Sequence, residues 1–148
     1  MNHDWNSLED YLYQHQRRLE DYPLFIEDYS FTVDPVFHDK QSFVSIYMEI
    51  LCAKGIKLTV VKTAEIRGRI KFEAKTVDYA YNASIMGKGN ILRYDNAHIQ
   101  AGHITKHHKH IFSRPGVEDT DSPFPIDEDK WPHLHEVIEE LMDYQIDC

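Results

Sequence analysis

Phe43-Val-Ser-Ile-Tyr-Met-Glu-Ile-Leu51, followed after Ala53-Lys-Gly55 by Ile56-Lys-Leu-Thr-Val-Val-Lys-Thr-Ala-Glu-Ile66, decides the fold. Val44, Ile46, Met48 and Ile50 fall on one side of an extended chain, and Phe43, Ser45, Tyr47, Glu49 and Leu51 on the other. Apolar content on both sides predicts a central strand. The short turn at Ala53-Lys54-Gly55 makes Ile56 to Ile66 the returning arm of a hairpin. Working outward, Arg67-Gly68-Arg69 predicts another turn. Val77, Tyr79, Tyr81, Ala83 and Ile85 at period two then place a strand within Ile70–Ile85. Gly87-Lys88-Gly89-Asn90 is a hairpin turn, Ile91 to Tyr94 opens the next strand, and Lys106 to Phe112 supplies the last.

Helices flank this meander. Ser7 with Asp10 predicts an N-cap, Leu8, Leu12, His15 and Leu19 keep a helical period, and Tyr22-Pro23 should end it. At the other end Trp131, Leu134, Val137, Ile138, Leu141 and Tyr144 mark an amphipathic helix, with Pro132 expected in its first turn. Its acidic side, Glu136, Glu139, Glu140 and Asp143, is expected to face solvent or a basic partner. Between them, Ser113 to Asp129 holds three prolines and six acidic residues and predicts a loop. The expected architecture is α+β in one domain, residues 1–148: an N-terminal helix, an antiparallel meander of about five to six strands, and a C-terminal helix, with the helices over one face of the sheet.

Composition narrows the classes. A chain of 148 residues with 42% hydrophobic and 12% aromatic residues is large enough for a real core. Two cysteines, Cys52 and Cys148, argue against a disulfide framework and for a reducing compartment. Met-Asn-His-Asp-Trp has no basic start and apolar run, and no stretch reaches bilayer-spanning length; a cytoplasmic protein without membrane association is expected. The net charge of −9 opposes general attraction to nucleic acid, but residues 87–116 carry Lys88, Arg93, Lys106, Lys109 and Arg114 against Asp95 alone. That local +4 leaves −13 on the rest of the chain. A basic island in an acidic protein can hold phosphate while the remainder limits nonspecific binding.

Five of the ten histidines lie in this island: His98, His103, His107, His108 and His110. Imidazole exchanges protons near neutral pH and ligates metals. Arg93 and Asp95 share one strand face, and His108 and His110 share another, so strand pairing would bring the four together. Such a set suits metal-independent RNA cleavage. A base takes the 2′-hydroxyl proton, an acid protonates the leaving 5′-oxygen, and a cation such as Arg93 or Lys109 stabilises the phosphorane. Asn96, His98, His103, His107 and Lys106 complete the candidate binding residues. Plainer readings stand beside these: Arg93 and Asp95 pairing with each other, and Asp95-Asn96 closing the strand through an Asx turn. The scattered His3, His15, His38, His133 and His135 are read as structural. Zinc on His108, His110 and Asp95 or His103 is the rival chemistry, but paired-cysteine and His-Glu-x-x-His spacings are lacking. An HNH-type nuclease would need a helix where the proline-rich segment follows. No metal or cofactor is therefore expected.

Leu92-Arg-Tyr-Asp-Asn-Ala-His98 followed by His107-His-Lys-His110 resembles the signature of the TumE family of toxin–antitoxin toxins, which pairs Arg-x-Asp-Asn-Ala with Pro-His-His-Lys-His before a short acidic helix. The likeness covers roughly residues 20 to 145 and includes the Tyr79-Ala-Tyr81 strand. The chain departs from the pattern at His98 and Lys106, where the family often has proline. The resemblance implies the toxin of a two-component module, held by a cognate antitoxin that usually carries a helix-turn-helix domain. By analogy it implies RelE-like ribonuclease activity on an RNA substrate. A non-catalytic module binding RNA, nucleotide or a protein partner is the alternative, with the acidic stretch Glu118–Asp129 as an internal competitor for the patch.

Overall fold

The computed structural model describes residues 3–96 and 106–145. The class is α+β, with two helices and a large antiparallel sheet. The chain runs β1 (Asn6–Ser7), α1 (Leu8–Glu20), β2 (Ile26–His38), β3 (Gln41–Cys52), β4 (Ile56–Arg67), β5 (Glu73–Ile85), β6 (Gly89–Asp95), β7 (His107–Arg114), β8 (Val117–Glu118), β9 (Phe124–Ile126) and α2 (Leu134–Met142). Sheet order is β2-β3-β4-β5-β6-β7-β8, with β1 beside β5 and β9 beside β7. Among the described residues the sheet therefore has nine strands rather than five or six. The difference has three sources, the smallest being β1, two residues ahead of α1 that pair with β5. β2 lies at an edge and carries Asp28, Ser30, Asp34 and Pro35, polar and cyclic residues that an edge tolerates and a core strand does not. The segment expected to be a loop after Ser113 instead folds back on β7, forming β8 and β9 on either part of it.

Period-two patterning is carried out along the sheet. Val44, Ile46, Met48 and Ile50 on β3, Ile56, Leu58 and Val60 on β4, and Tyr79, Tyr81, Ala83 and Ile85 on β5 are buried in one core. Their neighbours Tyr47 and Val61 are each 42% exposed, so on β3 and β4 the opposite face is open. Cover comes from the helices. Ser7 Oγ accepts from Asp10 N–H at 3.1 Å and starts α1, whose Tyr11, His15 and Leu19 point inward. α2 buries Leu134, Val137, Ile138 and Leu141. Burying four such side chains contributes on the order of 1.5–3 kcal/mol each, which anchors a helix too short to form alone.

Three boundaries differ from expectation. Pro132 precedes α2, which is capped by His133, so proline ends the incoming chain instead of occupying the first turn. β5 starts at Glu73 because the turn after Arg67 is longer; Gly68 has φ 112°, and a Cβ there would lie 2.1 Å from Lys71 O. Glu140 does not simply face water: Tyr94 OH donates to it at 2.6 Å and Lys109 Nζ at 2.8 Å. No helix among the described residues is long and apolar enough to cross a membrane.

Candidate active site

Antiparallel register builds the site. β6 and β7 pair Arg93 with His110 and Asp95 with His108, while Tyr94 sits opposite Lys109. Side chains alternate, so Arg93, Asp95, His108 and His110 emerge together on the face the helices leave uncovered. Tyr94 and Lys109 emerge on the helix side, where Lys109 pairs with Glu140 and lies 5.2 Å above the Tyr94 ring. Lys109 is therefore separated by the sheet from the cluster it was expected to join.

Asp95 is the hub. Its Oδ2 lies 2.8 Å from Arg93 Nε and 3.3 Å from His110 Nε2, and its Oδ1 lies 3.8 Å from His108 Nδ1. The other ring nitrogen of His110, Nδ1, meets Glu118 Oε1 of β8. An imidazolium carries a proton on each nitrogen and would satisfy both carboxylates at once. That hydrogen bond holds the Glu118 carboxyl below its ordinary range, with support from Ser122 Oγ at 3.1 Å. Ser122 also accepts from Ile111 N–H, so the returning segment is stitched to β7. Gly116 makes the return possible by lying against Gly89, where a Cβ would come within 2.7 Å of Gly116 Cα.

Accessibility divides the cluster. The side chains of Arg93 and His110 are 39% and 21% exposed and can meet a ligand, whereas that of His108 is 5% exposed. His108 supports Asp95 from beneath. Glu118, at 39%, is reachable and was read from the sequence only as part of an acidic stretch. Its place beside His110 arises from β7–β8 pairing across a turn with irregular register, which no periodicity encodes.

The remaining candidates lie elsewhere. His107 points to the helix side, with Nδ1 at 2.9 Å from Tyr79 OH and Nε2 at 2.9 Å from Glu128 Oε2. Burial lowers its pKa, partly offset by Glu128. Asn96 bridges to β5: its Oδ1 accepts from Tyr79 N–H at 2.8 Å and its Nδ2 donates to Val77 O at 2.7 Å, while the segment an Asx turn would close lies outside the described residues. Lys106 is half-buried in a groove with Asn96, His107 and Glu128. His98 and His103 lie outside the described residues. Among the described residues, no three His, Cys, Asp or Glu side chains converge as a metal site. No family model, curated protein or solved structure matches this chain.

Proposed function

We propose that the chain is a metal-independent endoribonuclease whose working groups are Glu118, His110 and Arg93. The observation that carries this reading is the Glu118–His110 hydrogen bond beside the Arg93–Asp95 pair on an open sheet face. Glu118 takes the proton of a ribose 2′-hydroxyl. The freed oxygen attacks phosphorus, and the P–O5′ bond breaks as His110 gives its proton to the departing 5′-oxygen. The products are a 2′,3′-cyclic phosphate and a 5′-hydroxyl, and proton exchange with water restores both groups. Arg93 stabilises the negative charge gathering on the phosphorane. Asp95 and His108 are positioning residues that aim Arg93 and His110.

The biological setting we infer is the toxin half of a toxin–antitoxin module, on the strength of the Arg-x-Asp-Asn-Ala and His-His-Lys-His likeness. An antitoxin would then cover the open face around Arg93. A second reading has its own support. Glu118 already occupies the imidazole that an RNA phosphate would seek, as an internal competitor in a pure binding module would. Incubation of labelled single-stranded RNA with the protein in EDTA tests the proposal. Cyclic-phosphate ends are expected. Binding without cleavage selects the module, and cleavage only with added divalent metal overturns the mechanism.

A further inference from the structure

On the other face of the sheet, Lys62 occupies a core position of β4 between Val60 and Ala64 and is 4% exposed. A buried ammonium normally has a carboxylate beside it, because an uncompensated charge in the interior is costly. Among the described residues Lys62 has no carboxylate in ion-pair contact: its Nζ lies 2.9 Å from His15 Nε2 and 5.1 Å from the centre of the Tyr81 ring. His15 in turn is fixed through Nδ1 to Tyr11 O at 2.7 Å. Lys62 and His15 line a cavity of about 40 Å³ between α1, the N-terminal segment and the start of α2. That volume exceeds the roughly 10–15 Å³ one water needs and suits a small polyatomic ion.

Arg18 and His135 also line the cavity, and each has one shielded polar atom, Arg18 Nε and His135 Nδ1, with no hydrogen-bond partner. Buried polar atoms in proteins are nearly always satisfied, so two such residues around a buried lysine form a pattern. Every one of these groups suits an acceptor-rich, negatively charged ligand.

We propose that this cavity binds a small tetrahedral oxyanion of the phosphate class, held by Lys62 with the Arg18 guanidinium on the wall. The site is separated by the sheet from Arg93 and His110 and does not depend on the ribonuclease reading. Burial lowers the pKa of Lys62 to about 7, so anion binding draws a proton onto it. His15 and His3, lowered to about 3 and 4 by burial, stay neutral through this range, and Tyr11, raised to about 12, stays protonated. Among the described residues Asp4 is the carboxylate that lines the cavity, and it opposes the anion; Arg18, whose Nη1 also donates to Asp21 at 3.2 Å, lines it together with His133 and His135.

The test is calorimetric titration with inorganic phosphate at pH 6.5 and constant ionic strength in chloride. Saturable one-to-one binding with proton uptake is expected. Lys62→Met should abolish it, and Arg18→Gln, on the outer wall, should weaken it by ~10-fold or more, the usual worth of a charge-assisted hydrogen bond. Binding of sulfate, whose charge is constant, should weaken as pH rises above about 7. A nucleoside monophosphate that binds as tightly as phosphate identifies an esterified source; preference for phosphate identifies the free ion, and either supports the site. Absence of saturable binding, or undiminished binding in a folded Arg18→Gln or Lys62→Met variant, overturns the proposal.

Discussion

Asp95 Oδ2 holds Arg93 Nε at 2.8 Å, two positions along one strand, on a sheet face that no helix covers. In the proposed ribonuclease this pair aims a guanidinium rather than adding stability. With Arg93 39% exposed, its energetic worth is at most about 1 kcal/mol. Asp95→Asn is therefore expected to leave the unfolding midpoint nearly unchanged while lowering kcat for RNA cleavage, with Asp95→Glu recovering part of it. Denaturation and single-turnover assays on the same preparations check this. A large stability loss with normal kcat would make the pair structural.

Asn96 supports the next strand rather than the chemistry. Asn96→Ala removes the partners of the Tyr79 N–H and the Val77 carbonyl. Each of these part-buried groups left unpaired costs on the order of 1 kcal/mol, so this variant should be destabilised. When folded, it should retain the parent's cleavage rate. Urea unfolding followed by tryptophan fluorescence measures the first part, since Trp131 stacks on Tyr79 at 4.2 Å.

Leu141→Ala should lose about 2–5 kcal/mol, the range for truncating a buried leucine, because Leu141 is 1% exposed in the main core. Met142→Ala, at a position 40% exposed one residue later, serves as its control. Equal stabilities for the two variants would contradict the packing of α2.

Stability should rise between about pH 7 and pH 9. In the folded protein Lys62 releases its proton near 7, whereas in the unfolded chain it does so near 10.5. Across that window the unfolded state binds more protons, so each step up in pH favours folding. The penalty is complete below pH 7 and fades above it. Tyr11 and Cys52, whose pKa values are raised to about 12 by burial, reverse the trend once pH passes their ordinary values. Lys62→Met should be more stable than the parent at pH 6 and should lack the rise above 7. Urea unfolding curves across pH 6–9 check the slope; a parent curve that is flat there would contradict it.

Much of this was legible in the sequence, and the exceptions have physical causes. Alternation from Phe43 to Ile66 gave the central hairpin, and the spacing of Arg93, Asp95, His108 and His110 matched their shared face because strand periodicity is strict. β2 was hidden because an edge strand needs little apolar residue, and β8 and β9 because short pairings lie within proline-rich chain. Strand parity places Lys109 with Tyr94, opposite His108 and His110, and this removes it from the cluster whose cation it was expected to supply. Glu118 could not be found by pattern, since only tertiary folding sets it against His110. Lys62 carried a signal: a lysine in phase with Val60 and Ala64 on a core face.

The central claim is that Glu118 and His110 exchange protons with a ribose 2′-hydroxyl and a leaving 5′-oxygen. Its most direct test is the single-turnover rate of RNA cleavage in EDTA by the parent, Glu118→Gln and His110→Ala, with RNA affinity measured alongside. Both substitutions should slow cleavage by roughly 10²–10⁴-fold, as loss of a general acid or base does, with Glu118→Gln binding RNA no more weakly than the parent. Glu118→Gln that cleaves as fast as the parent, or faster, would contradict the account and leave Glu118 as a competitor for the patch.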